Sequence, residues 1–228
     1  MFEDRIDAGK LLAGKLAKYE RQSPLVVALP RGGVFIGFPI AKALHAKLEV
    51  LLVRKLGAPN NPELGIGAIA EDGVVFWDND ILEMLKVPLP VMKSIKYSEE
   101  EELERRKQLY RHGRTLPLLT NKTVILVDDG LATGVTAHAA ILSLKKHHPK
   151  KIIFVAPVCS QATARMISPL VDTIICLDSE EQLEAISHYY RNFRQVTDEE
   201  VMTLLHKANE KYTDSNSAEV SFDHKIVW

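Results

Sequence analysis

The sequence predicts an α/β fold, a doubly wound parallel sheet carrying a helical insertion, and three observations carry that prediction. Short, continuous apolar runs recur at residues 25–29, 48–53, 124–127, 151–158 and 171–177, the pattern of strands buried on both faces. Helical patterns follow at 34–46, 137–146 and 161–166, and strands separated by such lengths need crossovers that make them parallel. Two of the strand-to-helix joints, Pro30-Arg31-Gly32-Gly33 and residues 130–136, are rich in glycine and small side chains.

The opening helix, 7–19, places Leu11, Leu12, Leu16 and Tyr19 at helical spacing, and Pro24 stops it before the first strand. At Arg31-Gly32-Gly33 the backbone turns sharply into a helix, an anion-binding geometry that includes an arginine; the alternative is a plain turn. The strand at 48–53 ends in Arg54-Lys55, two cations at the carboxyl end of a parallel strand, where open sheets bind ligands; the alternative is a solvated strand end. Residues 56–65 are dense in breakers without periodicity, so this loop is either mobile or shaped by a ligand. Residues 68–71 and 74–77 form a hairpin through Asp72-Gly73 with a primed turn. A short helix is expected at 80–85 and a long one at 91–110, with Glu101–Arg105 and Glu102–Arg106 as i,i+4 pairs. This charged run reads as a solvated face; the alternative is that Arg105, Arg106, Arg111 and Arg114 lean toward an anion.

The chain is organised around T-V-I-L-V-D-D-G-L-A-T-G-V-T at 123–136. A buried strand ends in Asp128 and Asp129, and a loop of small and hydroxyl residues then opens a helix. Unpaired N–H groups and the positive end of the helix dipole converge on such a loop, which makes it a phosphate cradle. The lysine of a nucleotide triphosphate loop is absent, as are the three glycines of a dinucleotide fingerprint. A phospho-acceptor receiver domain, with Asp178 as acceptor, would leave Thr133 to Thr136 without a role.

This segment resembles the phosphoribosyl diphosphate motif of the type I phosphoribosyltransferases. The resemblance implies that Ala132, Thr133, Gly134, Val135 and Thr136 hold a 5-phosphate, while Asp128 and Asp129 act in catalysis at the ribose and on Mg²⁺, directly or indirectly. Arg31 and Gly32 would form the pyrophosphate loop, in which a peptide bond is often cis, with Arg54 and Lys55 as further diphosphate contacts. A flexible lid would fall at 55–67. A small hood at 181–212 would cover the acceptor base, with Tyr189, Tyr190 and Phe193 as stacking rings; packing against the core is the alternative for these aromatics. The implied organisation is a core at 1–180 with a helical insertion at about 78–118, the hood, and a tail at 213–228. The implied reaction is Mg²⁺-dependent displacement of pyrophosphate from phosphoribosyl diphosphate by a nitrogen acceptor such as a nucleobase. Homodimers are expected, and a non-enzymatic regulator that binds phosphoribosyl diphosphate or nucleotides is the rival.

Composition narrows the classes further. An apolar fraction of 46% and a net charge of −1 suit an ordinary globule and argue against general nucleic-acid binding. No apolar run nears a membrane span, and the N-terminus lacks the pattern of a leader. Cys159 and Cys176 make neither a metal spacing nor a disulfide framework, so a reducing cytoplasm is expected, with Cys159 a small buried hydrophobe. The eight histidines form no ligand spacing, and His147-His148 suits a helix end. Thr197-Asp198-Glu199-Glu200 reads as a capping box for a helix to about 212; residues 220–228 read as an edge strand or a disordered tail.

Overall fold

The computed structural model describes residues 1–213, so the tail expected after that point lies outside the described residues. In chain order the elements are α1 (Arg5–Leu16), β1 (Leu25–Ala28), α2 (Gly32–Ala43), β2 (Lys47–Val50), β3 (Val53–Ala58), β4 (Asn61–Ala70), β5 (Val75–Trp77), α3 (Asn79–Leu85) and α4 (Leu89–Arg111). They continue as β6 (Thr123–Val127), α5 (Val135–Lys146), β7 (Lys151–Ser160), α6 (Gln161–Ile167), β8 (Thr173–Glu180) and α7 (Asp198–Thr213).

Five parallel strands lie in the order β2-β1-β6-β7-β8. Alternation along each strand divides the core. Ile125, Val127, Ile153 and Val155 pack with Leu12 and Leu16 of α1 and Ile36 and Ile40 of α2, whereas Val124, Leu126 and Phe154 pack with Ile141 and Leu144 of α5. Strand order reverses between β1 and β6, which are in register from Leu25↔Val124 to Ala28↔Val127. The loops that follow these two strands therefore open side by side into a crevice.

The expectation for 48–53 is corrected. β2 ends at Val50, and two residues later the chain enters β3 of a second, antiparallel sheet ordered β3-β4-β5. Leu51, Leu52 and Val53 are all buried, so the apolar run crosses the joint between the sheets without a break that periodicity could reveal. Arg54 and Lys55 consequently lie inside β3, not at the end of a parallel strand. The 55–67 stretch is likewise a bulged hairpin rather than a loop without structure. Its glycines serve close approach between strands: a Cβ on Gly57 would lie 2.5 Å from the Pro62 carbonyl oxygen.

Smaller expectations also shift. The turn into β5 closes by Gly73 N–H donating to the Ala70 carbonyl at 2.9 Å, with positive φ at Gly73 and not at Asp72, so it is not a primed turn. Leu11 is 52% exposed while Leu12 and Leu16 are fully buried. On α4, Glu102 takes both Arg105 and Arg106, at 2.7 Å each. Arg111 is buried in an ion pair with Glu71, so these arginines are engaged away from the crevice. The capping box is present: Glu200 N–H donates to the Thr197 hydroxyl at 3.2 Å, and Thr197 N–H to the Glu200 carboxylate at 3.0 Å. Cys159 and Cys176, on the adjacent strands β7 and β8 with Cα atoms 6.2 Å apart, form a disulfide, which corrects the reading of two unpaired thiols. A helix separates them in sequence, and only the parallel pairing brings them together. Among the described residues no helix is long and apolar enough to cross a membrane.

Candidate functional site

A cavity of about 270 Å³ opens at the carboxyl ends of β1 and β6, lined by Pro30, Lys55, the acidic pair, residues 130–134, Thr136 and Ile186. Its floor is the cradle loop. Gly134 has φ +79° as the residue that opens α5, so the αL position falls on the side chain with least penalty. A Cβ there would lie 2.4 Å from Thr163 Cγ2. The glycine is thus demanded by packing inside the protein, and a valine at 134 would distort the loop with or without a ligand. The loop is fastened from below. Leu131 N–H donates to the Val158 carbonyl and Ser160 N–H to the Leu131 carbonyl, both at 2.8 Å, and the Thr163 hydroxyl donates to the Ala132 carbonyl.

The two acids differ. Asp128 faces the cavity, and its N–H donates to the Val155 carbonyl at 3.1 Å. Asp129 is clamped: Arg5 Nε donates to its Oδ2 at 3.0 Å, the Tyr190 hydroxyl donates to its backbone carbonyl at 2.8 Å, and a Cβ on Gly32 would overlap Oδ2. Burial raises both carboxyl pKa values. Asp128 is raised further because the charge of Asp129 adds to desolvation, whereas Arg5 opposes the shift at Asp129. Ionising both carboxylates together is therefore unfavourable here, and Arg5 offsets only part of that cost.

Opposite stands the joint from β1 to α2, with a cis peptide between Pro30 and Arg31 as the resemblance implied. Its fit is tight, since a Cβ on Gly33 would lie 2.7 Å from the Val127 carbonyl oxygen. A phosphoribosyl transferase domain model matches residues 3–191. The chain belongs to that family. Two proteins of Mycobacterium tuberculosis strains, named provisionally as phosphoribosyl transferases, are 36% identical over 223 residues, 98% of this chain and 50% of their own length. The chain thus spans about half the length of these curated relatives. The crystal structure of TT1426 from Thermus thermophilus is 33% identical with a TM-score of 0.75, over 91% of this chain and 98% of that one.

Within this phosphoribosyl transferase fold the expected residues divide. Asp128, Asp129, Ala132, Thr133, Gly134, Thr136 and Lys55 share one cavity, with Val135 buried beneath as the first residue of α5. Lys55 Nζ donates to the Glu63 carbonyl at 2.7 Å. Arg54, one residue along β3, pairs with Glu99 at 2.6 Å and does not line this cavity; it lines a neighbouring one to which Lys55 also contributes. Arg31 is turned to Asp198 at 3.9 Å. Gly32 sits against Asp129.

The three aromatics expected to stack on a base lie outside the wall of this cavity. Tyr190 is buried, with its ring 5.5 Å from that of Phe2 and 5.0 Å from that of Phe193, and none of the three rings lines the cavity. The Arg5 guanidinium stacks 3.8 Å from the Phe193 ring, so the hood has its own core. Two residues escaped the sequence reading. Arg5 lies 124 positions from Asp129 and left no local signal. Ile186 packs where a Cβ on Gly130 would stand, and only the glycine hints at a close neighbour.

Proposed function

We propose that this chain is a phosphoribosyltransferase that displaces pyrophosphate from phosphoribosyl diphosphate by a nitrogen nucleophile. The observation that supports it is the meeting, in one cavity, of an anion cradle at a helix N-terminus with a desolvated acidic pair. The amides at 133–136 and the hydroxyls of Thr133 and Thr136 hold the 5-phosphate. Asp128 faces the ribose, where its charge offsets the positive charge that grows at C1 as the leaving group departs. Arg5 and Tyr190 keep Asp129 in place, and Lys55 stands at the diphosphate. No protein nucleophile enters this scheme.

Mg²⁺ fits as a partner of the substrate more than of the protein. Among the described residues no cluster of three or more His, Cys, Asp or Glu could hold a metal, and Mg²⁺ is commonly held by one or two carboxylates together with substrate phosphates. Asp128 and Asp129 are the carboxylates at hand, directly or through water, and the ion would neutralise the leaving diphosphate. A second reading, a regulator that binds phosphoribosyl diphosphate or nucleotides without turnover, is favoured by Tyr190, whose ring packs on Phe2 and Phe193 instead of lining the cavity.

Pyrophosphate release from phosphoribosyl diphosphate and Mg²⁺ across purine, pyrimidine and nicotinic-type acceptors separates the two. In an enzyme, Asp128→Asn lowers turnover beyond its loss of affinity by one or more factors of ten, about 1.4 kcal/mol each. Absence of release with every acceptor, together with saturable binding, selects the regulator.

A further inference from the structure

A second cavity, of about 330 Å³, lies between the edge strand β2, the end of α4 and the second half of α7. Apolar residues make much of its wall, Leu109, Met202 and Leu205 with the buried Leu48 and Val50 of β2 behind them. Into it also face Glu49, Arg111 and Arg114. The edge of β2 is already satisfied here, because the Asn209 side chain accepts from Leu48 N–H at 3.1 Å and donates to the Leu48 carbonyl at 2.8 Å. An added strand is therefore not what the cavity invites.

Its charges are poorly matched. Arg111 is 3% exposed and pairs with Glu71 through Nη2, which leaves the buried Nε and Nη1 without a hydrogen-bond partner. Arg114 donates through Nε to the Arg111 carbonyl at 3.2 Å. Glu49 shares the cavity with both arginines, yet among the described residues no ion pair joins it to either. Burial raises the Glu49 carboxyl, with Arg111, Arg114 and Lys47 opposing, and burial lowers Arg111. Glu71 meets only one end of the Arg111 guanidinium, and Glu49 is desolvated with no ion pair to either arginine, a situation that a bound group carrying both charges relieves. A simple anion would satisfy the arginines and crowd Glu49; a simple cation would do the reverse.

We propose that this cavity binds a small zwitterion with an apolar body, the chemistry of a free amino acid with an aliphatic or aromatic side chain. Its ammonium group meets Glu49, its carboxylate meets Arg111 and Arg114, and its side chain lies on the apolar wall. The volume is at the small end of ligand cavities, about 300 Å³ and upward, and suits one such molecule. This site is separate from the acidic pair and does not depend on the reaction proposed there.

Calorimetric titration of the full chain with L-leucine, L-methionine and L-phenylalanine tests it, beside 4-methylpentanoate, 3-methylbutylamine and guanosine monophosphate. At least one amino acid binds saturably. The analogues that lack one charge bind at least about tenfold more weakly, since each loses a charge-assisted hydrogen bond. Glu49→Gln and Arg114→Ala each weaken the amino acid by about tenfold while a single cooperative thermal transition shows that the fold is kept, and phosphoribosyl diphosphate does not displace it. Silence from all three amino acids, equal binding by a singly charged analogue, tighter binding by the nucleotide, or unaltered affinity in Glu49→Gln overturns the proposal.

Discussion

The five-stranded and three-stranded sheets bring opposite charges to one cavity by different means. The parallel sheet delivers Asp128 and Asp129 at the end of β6, whose five residues are all buried, and fastens the loop that follows to β7 and α6. The antiparallel sheet delivers Lys55 from inside β3, opposite Ala68 and just before a bulge, with its ammonium held by the Glu63 carbonyl at 2.7 Å and the Glu63 carboxylate at 3.5 Å. The acids stand on a scaffold over-determined by packing, whereas the hairpin that carries the lysine is buried at Leu56 and Ile66 and exposed at its tip, 59–63. A rigid acidic floor under a more adjustable cationic wall is the arrangement expected where a charged ligand must enter before the site closes.

The largest test of this contrast is a pair of core deletions. Phe154→Ala, in a fully buried side chain of β7, is expected to destabilise by about 3–5 kcal/mol. Phe76→Ala, in the half-buried β5 where the ring stacks on His138 at 3.8 Å, should lose only about 1–2 kcal/mol. Equal losses in denaturant melts would mean that the hairpin sheet is as integral as the parallel one. Hydrogen exchange sharpens the point: amides of 55–67 should exchange well before those of β6, and added phosphoribosyl diphosphate with Mg²⁺ should slow the hairpin more than the strand. Equal slowing in both would remove the adjustable wall.

A subtler effect concerns the acidic floor itself. A folded-state pKa raised above the unfolded value means that the ionised carboxylate opposes folding, with the penalty absent below the unfolded value near 3.9 and complete above the folded one. Asp128→Asn is therefore expected to raise the melting temperature at neutral pH, and the gain should fade as pH drops toward that unfolded value. A variant that melts below the wild type at pH 7 would show that Asp128 is already compensated. The smallest effect lies far from both sheets' meeting point, on α4. The Arg105 hydrogen bond, with Arg106 assisting, holds Glu102 at about 2, so its contribution is present above the ordinary carboxylate value and lost as pH falls through about 2. Because Arg105 is 54% exposed, Glu102→Gln should reduce stability at neutral pH by only about 0.2–1 kcal/mol in thermal melts.

The parallel sheet was legible because burial on both faces leaves an unbroken apolar run in each strand, and the cradle because its glycine and hydroxyls sit at a strand-to-helix joint. Of the hairpin sheet the 68–77 hairpin was legible, but the pairing of β3 with β4 was not, since its glycines answer to cross-strand approach and look like loop residues in isolation. Tyr190 illustrates the same limit: an aromatic residue beside the site reads alike whether it faces a ligand or, as here, Phe2 and the Asp129 carbonyl.

Local chemistry alone determined the doubly wound sheet, the acidic pair, the anion cradle and the glycine turn opposite, because each is a contiguous segment whose backbone preferences and apolar pattern act over a few residues. Tertiary structure decided which charges meet. It brought Arg5 to Asp129 across 124 positions, sent Lys55 to the cavity and Arg54 to Glu99, joined Cys159 to Cys176, and set Glu49 and Arg111 in one cavity without pairing them. Pairing at such separations depends on strand order and helix placement, and those follow from the packing of the whole core.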